Sequence, residues 1–248
     1  MTRATTSGSA WPRAAPSATP RRASARPTPG TTTPPPDDDT AVPAGVVCGL
    51  AHAGDPRAAS ELARRYARIT HAGDGVDAAA AMAALVARVL TGSPLRDAVD
   101  AGRGEIAPGS WLDAGLDTAL GIADTAGDPF AAVPSLIRAL SPRLYSHAST
   151  AAETLPLAVA VTLLTDAEPA RAIPLSLTIA RKADSVPAFV GALCGAARGR
   201  AAFGPEWDAL DELRGILLPT LEGVRLSALA DRLLARAEHP NPTEDVTP

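Results

Sequence analysis

Residues 181–207 read RKADSVPAFVGALCGAARGRAAFGPEW, and the organisation of the chain can be worked out from them. Ala183–Ser185 breaks and recaps the chain ahead of an apolar helix over 186–197. Gly191, Gly195 and Gly199 recur at every fourth residue there, which predicts a face without side chains that a second helix can approach closely. Composition points the same way. Hydrophobic residues make up 46% of the chain and aromatics only 3%, so the core is expected from closely spaced, alanine-rich helices instead of large side chains. Runs of Val, Ile, Thr and Tyr that would make strands are absent. The expected fold is all-α, a single orthogonal multi-helix domain.

Upstream, the helix starts can be read directly. Asp55-Pro56 and Asp128-Pro129 each place an N-cap acceptor before a proline whose missing N–H costs nothing at the first helical position. After Asp55, the residues Ala59, Leu62, Ala63, Tyr66 and Ile69 form one apolar stripe. Val76–Leu90 repeats the period through Ala80, Ala83, Ala84, Ala87 and Leu90. Ser93-Pro94 caps a short helix through Ala101, Ser110 one through Ala123, and Phe130–Leu140 forms another. Thr150 and Glu153 have the spacing of a capping box ahead of Leu155–Leu164. Pro169 opens a helix bearing Ile173, Leu177 and Ile179, and the last helix ends near Arg236. The acidic-Pro starts are unequally spaced, which excludes a solenoid repeat.

Residues 1–40 are of a different kind. They carry eight prolines, five arginines and no Leu, Ile or Val, too little apolar surface to offset chain entropy. A disordered leader is therefore expected over 1–40, a helical domain over 41–237 and a disordered tail over 238–248. With 23 basic and 27 acidic residues the net charge is −4, which offers no footprint for nucleic acid or an anionic membrane. No apolar run approaches the roughly 20 residues of a membrane span, and there is no signal-peptide core. Cys48 and Cys194 lie in small apolar surroundings and are expected to be buried free thiols, as suits a reducing cytoplasm.

Three segments carry a family likeness. The first runs from Gly49-Leu50 through Thr70-His71 to Gly75-Val76-Asp77-Ala78. The second is Ala152-Glu153-Thr154-Leu155-Pro156-Leu157-Ala158. The third is Arg181 to Gly199 followed by Gly204-Pro205-Glu206-Trp207. Together they resemble the ADP-ribosylglycohydrolase family, which includes the glycohydrolase that reactivates dinitrogenase reductase. The resemblance implies an all-α fold around two Mg²⁺ or Mn²⁺ ions and hydrolysis of the glycosidic bond joining ADP-ribose to a protein side chain. ADP-ribose or an ADP-ribosylated protein is then the expected partner. Hard dications suit that chemistry, because they take carboxylate and hydroxyl oxygens, hold a ribose diol and activate water. Carried over residue by residue, Asp184 and Ser185 match metal ligands and His71 matches a position near the bound ADP-ribose.

The departures are as informative as the matches. Lys182, the only lysine in the chain, stands where the family has the first aspartate of an Asp-x-Asp-Ser/Thr cluster. One ammonium about 4 Å from a dication opposes it by about 8 kcal/mol at an effective dielectric near 20. Lys182 is expected either to swing out to solvent or to pair with Asp184 and stand in for one cation, closing a metal-free pocket. Asp37-Asp38-Asp39-Thr40 has a superficial likeness to the family's other ligand cluster, Thr-Asp-Asp-Thr. It follows three prolines and is read as a solvated charge run in a linker, with a surviving ligand cluster as the lesser reading. The family's N-terminal third is accordingly expected to be missing, leaving exposed helix faces through which the chain could associate.

The remaining candidates each carry a plainer alternative. Placement at a helix C-terminus would by itself favour a histidine such as His71. Glu153 is expected to cap, Arg181 to make a surface ion pair, His147 to sit in a loop without function, and Trp207 to pack in the core. Asp184-Ser185 could be no more than an N-cap for the next helix. The catalytic centre is expected to be degenerate.

Overall fold

Two helices hold the centre of the protein. They are α3 (Gly73–Val89) and α7 (Ala151–Leu164), and they pack against each other. Alanine makes α3 what it is: Ala78 through Ala81, Ala83, Ala84 and Ala87 are all buried, so neighbours pack on it from several sides. Helices α1 (Val42–Ala51), α2 (Pro56–Ala67) and α4 (Leu95–Arg103) lie on α3. On the other side α5 (Trp111–Thr125), α6 (Pro129–Leu140) and α9 (Val186–Arg198) pack on α7. Helix α8 (Pro169–Leu177) lies against α9, and α10 (Leu226–Glu238) reaches α1. The structure is a computed structural model and describes residues 37–141, 149–215 and 219–238. Among them there is no β-strand, only isolated bridges, so the fold is all-α. No described helix is long and apolar enough to cross a membrane.

The predicted starts of α2, α5 and α6 are correct in chemical detail. Asp55, Ser110 and Asp128 accept hydrogen bonds from the backbone N–H groups of Ala58, Asp113 and Ala131. Ser93 does not cap α4, whose N-cap position is Pro94.

Two packing expectations are corrected. In α2 the buried stripe is Ala59, Ser60, Ala63 and Ala67, while Tyr66 and Ile69 are 55% and 77% exposed. The helix turns its smallest residues towards α3, and large side chains at that contact would hold the two axes apart. The glycine face of α9 is not a close helix contact either. A methyl group on Gly191 would meet only the tip of Ile173 at 3.8 Å, and one on Gly195 only the Phe203 ring at 3.9 Å. The close approaches are elsewhere. Gly45 and Gly49 on α1 face the Ala79 and Ala83 carbonyl oxygens of α3, and Gly115 on α5 faces the Ala152 carbonyl of α7. Pro156, lying inside α7, has no N–H to donate to that carbonyl, which leaves the oxygen open to the approaching α5 backbone.

Trp207 packs against the core as expected and stacks edge-on with Phe203, with centroids 5.7 Å apart. Cys48 and Cys194 are free and buried. Burial, reinforced by the charge of Glu168, pushes the Cys194 thiol up to about 11 from an ordinary value of 9.0. A group whose pKa rises on folding contributes stability that is complete below the unfolded value and is lost as pH climbs through the folded one. The protein is therefore expected to lose about 2–3 kcal/mol between pH 9 and 11 that a Cys194→Ala variant does not lose. Denaturant midpoints across that range measure it, and identical alkaline limbs for the two proteins would exclude it.

Candidate functional site

The acidic run at the start of the described chain is not a solvated linker. Asp38 and Asp39 are each only 3% exposed. Backbone hydrogen bonds fasten the run to the segment entering α7: Asp39 N–H donates to Ser149 at 2.8 Å and Ala151 N–H donates to Asp37 at 3.1 Å. The three prolines ahead of the run suggested a linker, but a single antiparallel bridge between Asp38 and Thr150 suffices to place it over the N-terminus of α7. The leader proper, 1–36, and the tail, 239–248, lie outside the described residues, as does His147.

Asp38 organises one half of the cluster. Its Oδ1 accepts from the Thr40 backbone N–H at 2.9 Å and the Thr40 hydroxyl at 2.7 Å, and lies 2.7 Å from His71 Nε2. Burial raises the Asp38 carboxyl, but the hydrogen bonds from Thr40 and His71 outweigh it and hold the group below the ordinary carboxylate range. An ionised carboxylate only accepts, so His71 carries its proton on Nε2, and Nδ1 lies 2.7 Å from the Thr70 hydroxyl. His71 follows the C-terminal end of α2 as predicted. Its ring is used in holding the acidic run and not turned to solvent: the side chain is 5% exposed.

Asp39 organises the other half. Burial pushes its carboxyl above the ordinary range, and the hydroxyls of Ser185 and Thr154 and the charge of Lys182 offset this only in part. Lys182 lies in a 3₁₀ turn, Ala180–Lys182, between α8 and α9. Lys182 neither swings out to solvent nor pairs with Asp184. The side chain is 1% exposed, and its Nζ lies 2.9 Å from Oε2 of Glu153, which is fully buried on the first turn of α7. The two atoms are at ion-pair distance without the angles of a hydrogen bond. Asp184, the expected partner, is exposed.

Glu153 is likewise corrected. It does not cap α7, and the Thr150 hydroxyl makes no cap bond. Glu153 Oε1 accepts from the Ser141 hydroxyl at 2.6 Å, and Oε2 faces Lys182. The reason is solvation: a glutamate turned into a buried helix face satisfies its charge with the Lys182 ammonium, and a cap bond would leave Lys182 alone in the core. Ser185 holds the N-cap position of α9 but makes no capping bond; it is half-buried, beside Asp39. Arg181 is exposed.

Of the predicted site residues, then, the structure brings Ser185, Lys182 and His71 to the acidic run and leaves Asp184 outside. Sequence reasoning preferred a linker for Asp38 and Asp39 over a ligand cluster, and missed Thr154 and the true partner of Lys182. One signal for the last was available, since Glu153 is the only charge in the apolar run 151–164.

The arrangement is a sealed polar cluster of three carboxylates, one ammonium, one imidazole and several hydroxyls at the junction of α1, α7 and α9. No curated protein and no solved structure matches the chain. The sequence model of one family, ADP-ribosylglycohydrolase, matches residues 3–243 and so takes in the acidic run along with the three resembling segments. With nearly all of the sequence matched and an all-helical fold that agrees, the chain belongs to the ADP-ribosylglycohydrolase family.

Proposed function

We propose that this protein binds ADP-ribose, free or attached to a protein side chain, and does not carry out the metal-dependent hydrolysis of its family. The observation that carries the loss of hydrolysis is the buried Lys182 ammonium at 2.9 Å from Glu153; ADP-ribose as the ligand is taken from family membership. The residues do not fit the pair of Mg²⁺ or Mn²⁺ ions that family membership implies. Asp184 is exposed, Asp38 Oδ1 is engaged by Thr40 and His71, and the ammonium acts on both remaining carboxylates. Among the described residues no three His, Cys, Asp or Glu side chains are grouped so as to hold a metal. A dication entering this cluster meets a fixed positive charge that no solvent screens. The free buried thiols support a reducing cytoplasmic setting, where ADP-ribosylated proteins would be the partners.

Release of ADP-ribose from an ADP-ribosylated protein is expected to stay at background with or without Mn²⁺ and Mg²⁺. Calorimetry is expected to give the same affinity for ADP-ribose in EDTA as in Mn²⁺. Turnover that appears only with the metals would overturn the loss of hydrolysis. No heat at millimolar ADP-ribose from the folded protein would overturn binding.

A further inference from the structure

Among the described residues, four buried side-chain polar atoms have no hydrogen-bond partner: Asp39 Oδ2, Thr150 Oγ1, Glu153 Oε2 and Lys182 Nζ. All four belong to the one cluster. Thr150 and Glu153 are one helical turn apart at the start of α7. Asp39 is tied to that turn through Ser149, and Lys182 reaches Glu153 and acts on Asp39. Native proteins leave few buried polar atoms unpaired, and a group of them in one place calls for an explanation, a bound ion among them. Here three of the four are oxygens, two of them from carboxylates, and the hydroxyls of Thr154 and Ser185 stand beside them. That is a set of hard donors, suited to a cation. The fourth atom is itself a cation, and it is covalently attached.

We propose that the Lys182 ammonium is a tethered counter-ion that fills, in place of a dissociable divalent cation, an oxygen-lined site formed by Asp39, Thr150, Glu153 and Ser185, and that removing it opens this site to divalent metal. An ammonium is a compact point charge on a flexible stem, able to settle at a distance from several oxygens without meeting the directional demands of any one. That accounts for a 2.9 Å ion pair in which neither atom completes a hydrogen bond. The two neighbouring carboxylates do not draw the ammonium away from this site. Asp38 is satisfied by His71 and Thr40, and Asp184 is exposed. The inference rests on the metal-independent reading above. It is tested without ADP-ribose, so a failure of ligand binding and a failure of this inference appear in different experiments.

The test uses Mn²⁺ alone as the probe, on the full chain. Wild-type protein is expected to bind no Mn²⁺ saturably, by loss of the free-ion electron paramagnetic signal, and to melt at the same temperature in Mn²⁺ and in EDTA. Lys182→Asp supplies a further carboxylate and is expected to bind Mn²⁺, with the melting temperature rising by about 5–10 °C at a hundredfold excess over the dissociation constant. Adding Ser185→Ala and Asp39→Asn to that variant is expected to abolish the rise. A folded Lys182→Asp protein that ignores Mn²⁺ would overturn the proposal. Should that variant not fold, wild type decides. Because Lys182 is the only lysine, ¹⁵Nζ-lysine labelling gives a single side-chain ammonium signal. It is expected to exchange slowly with water and to keep its linewidth on addition of Mn²⁺. A rapidly exchanging signal, or one broadened by stoichiometric Mn²⁺, would overturn the proposal equally.

Discussion

Lys182→Met is expected to lower the unfolding free energy by about 3–5 kcal/mol, the cost of leaving a buried carboxylate without its counter-charge. The side chain it removes is 1% exposed and its partner Glu153 is fully buried, so no water moves in to solvate what remains. Asp39 makes the loss worse, because it too depends on the ammonium against a burial that already pushes its carboxyl upward. Lys182→Met with Glu153→Leu is expected to recover most of the loss, since an apolar pair of similar volume needs neither partner nor solvent. The coupling between the two changes is thus large and of opposite sign to the single effects. Urea unfolding of the two single variants and the double one measures it. A Lys182→Met protein within 1 kcal/mol of wild type, on the scale of an exposed ion pair, would show that the ammonium contributes nothing to the core.

Gly115→Ala and Gly45→Ala are expected to cost about 3 kcal/mol each, at the upper end of what overpacking does. A methyl group on Gly115 would stand 2.6 Å from the Ala152 carbonyl oxygen, and one on Gly45 would stand closer still to the Ala79 oxygen. Both obstacles are backbone, so relief requires moving a helix axis and cannot come from a rotamer change. Gly191→Ala is the control. Its methyl would make an ordinary contact with Ile173, and the variant is expected to gain about 0.5–1 kcal/mol from helix propensity. Thermal or denaturant unfolding of the three proteins separates the cases. Equal effects at Gly115 and Gly191 would mean that α5 does not ride on α7 as described.

How much of this could be read in the sequence depended on the range of the interaction. Caps act over three residues, and Asp55, Ser110 and Asp128 were legible because each bonds a donor within that distance. Glu153 had the same local credentials from Thr150 and was misread, because its partner lies 29 residues on and solvation outranks a cap. The glycines of α9 had regular spacing and no close neighbour. Gly115, with no repeat around it, touches another helix. Asp38 and Asp39 looked like a linker because their neighbours on the N-terminal side are prolines, while what buries them is the chain around residues 149–154 and 182–185.

From its residues alone the chain determined that it is helical, where most of its helices begin, and which family its motifs resemble, because periodicity, capping and motif spacing are properties of neighbours. Tertiary structure decided which alanine and glycine faces meet, that the acidic run is buried, and that Lys182 pairs with Glu153 instead of Asp184. Those outcomes turn on which charges lose their water together, and that is settled only when distant segments close around the same space.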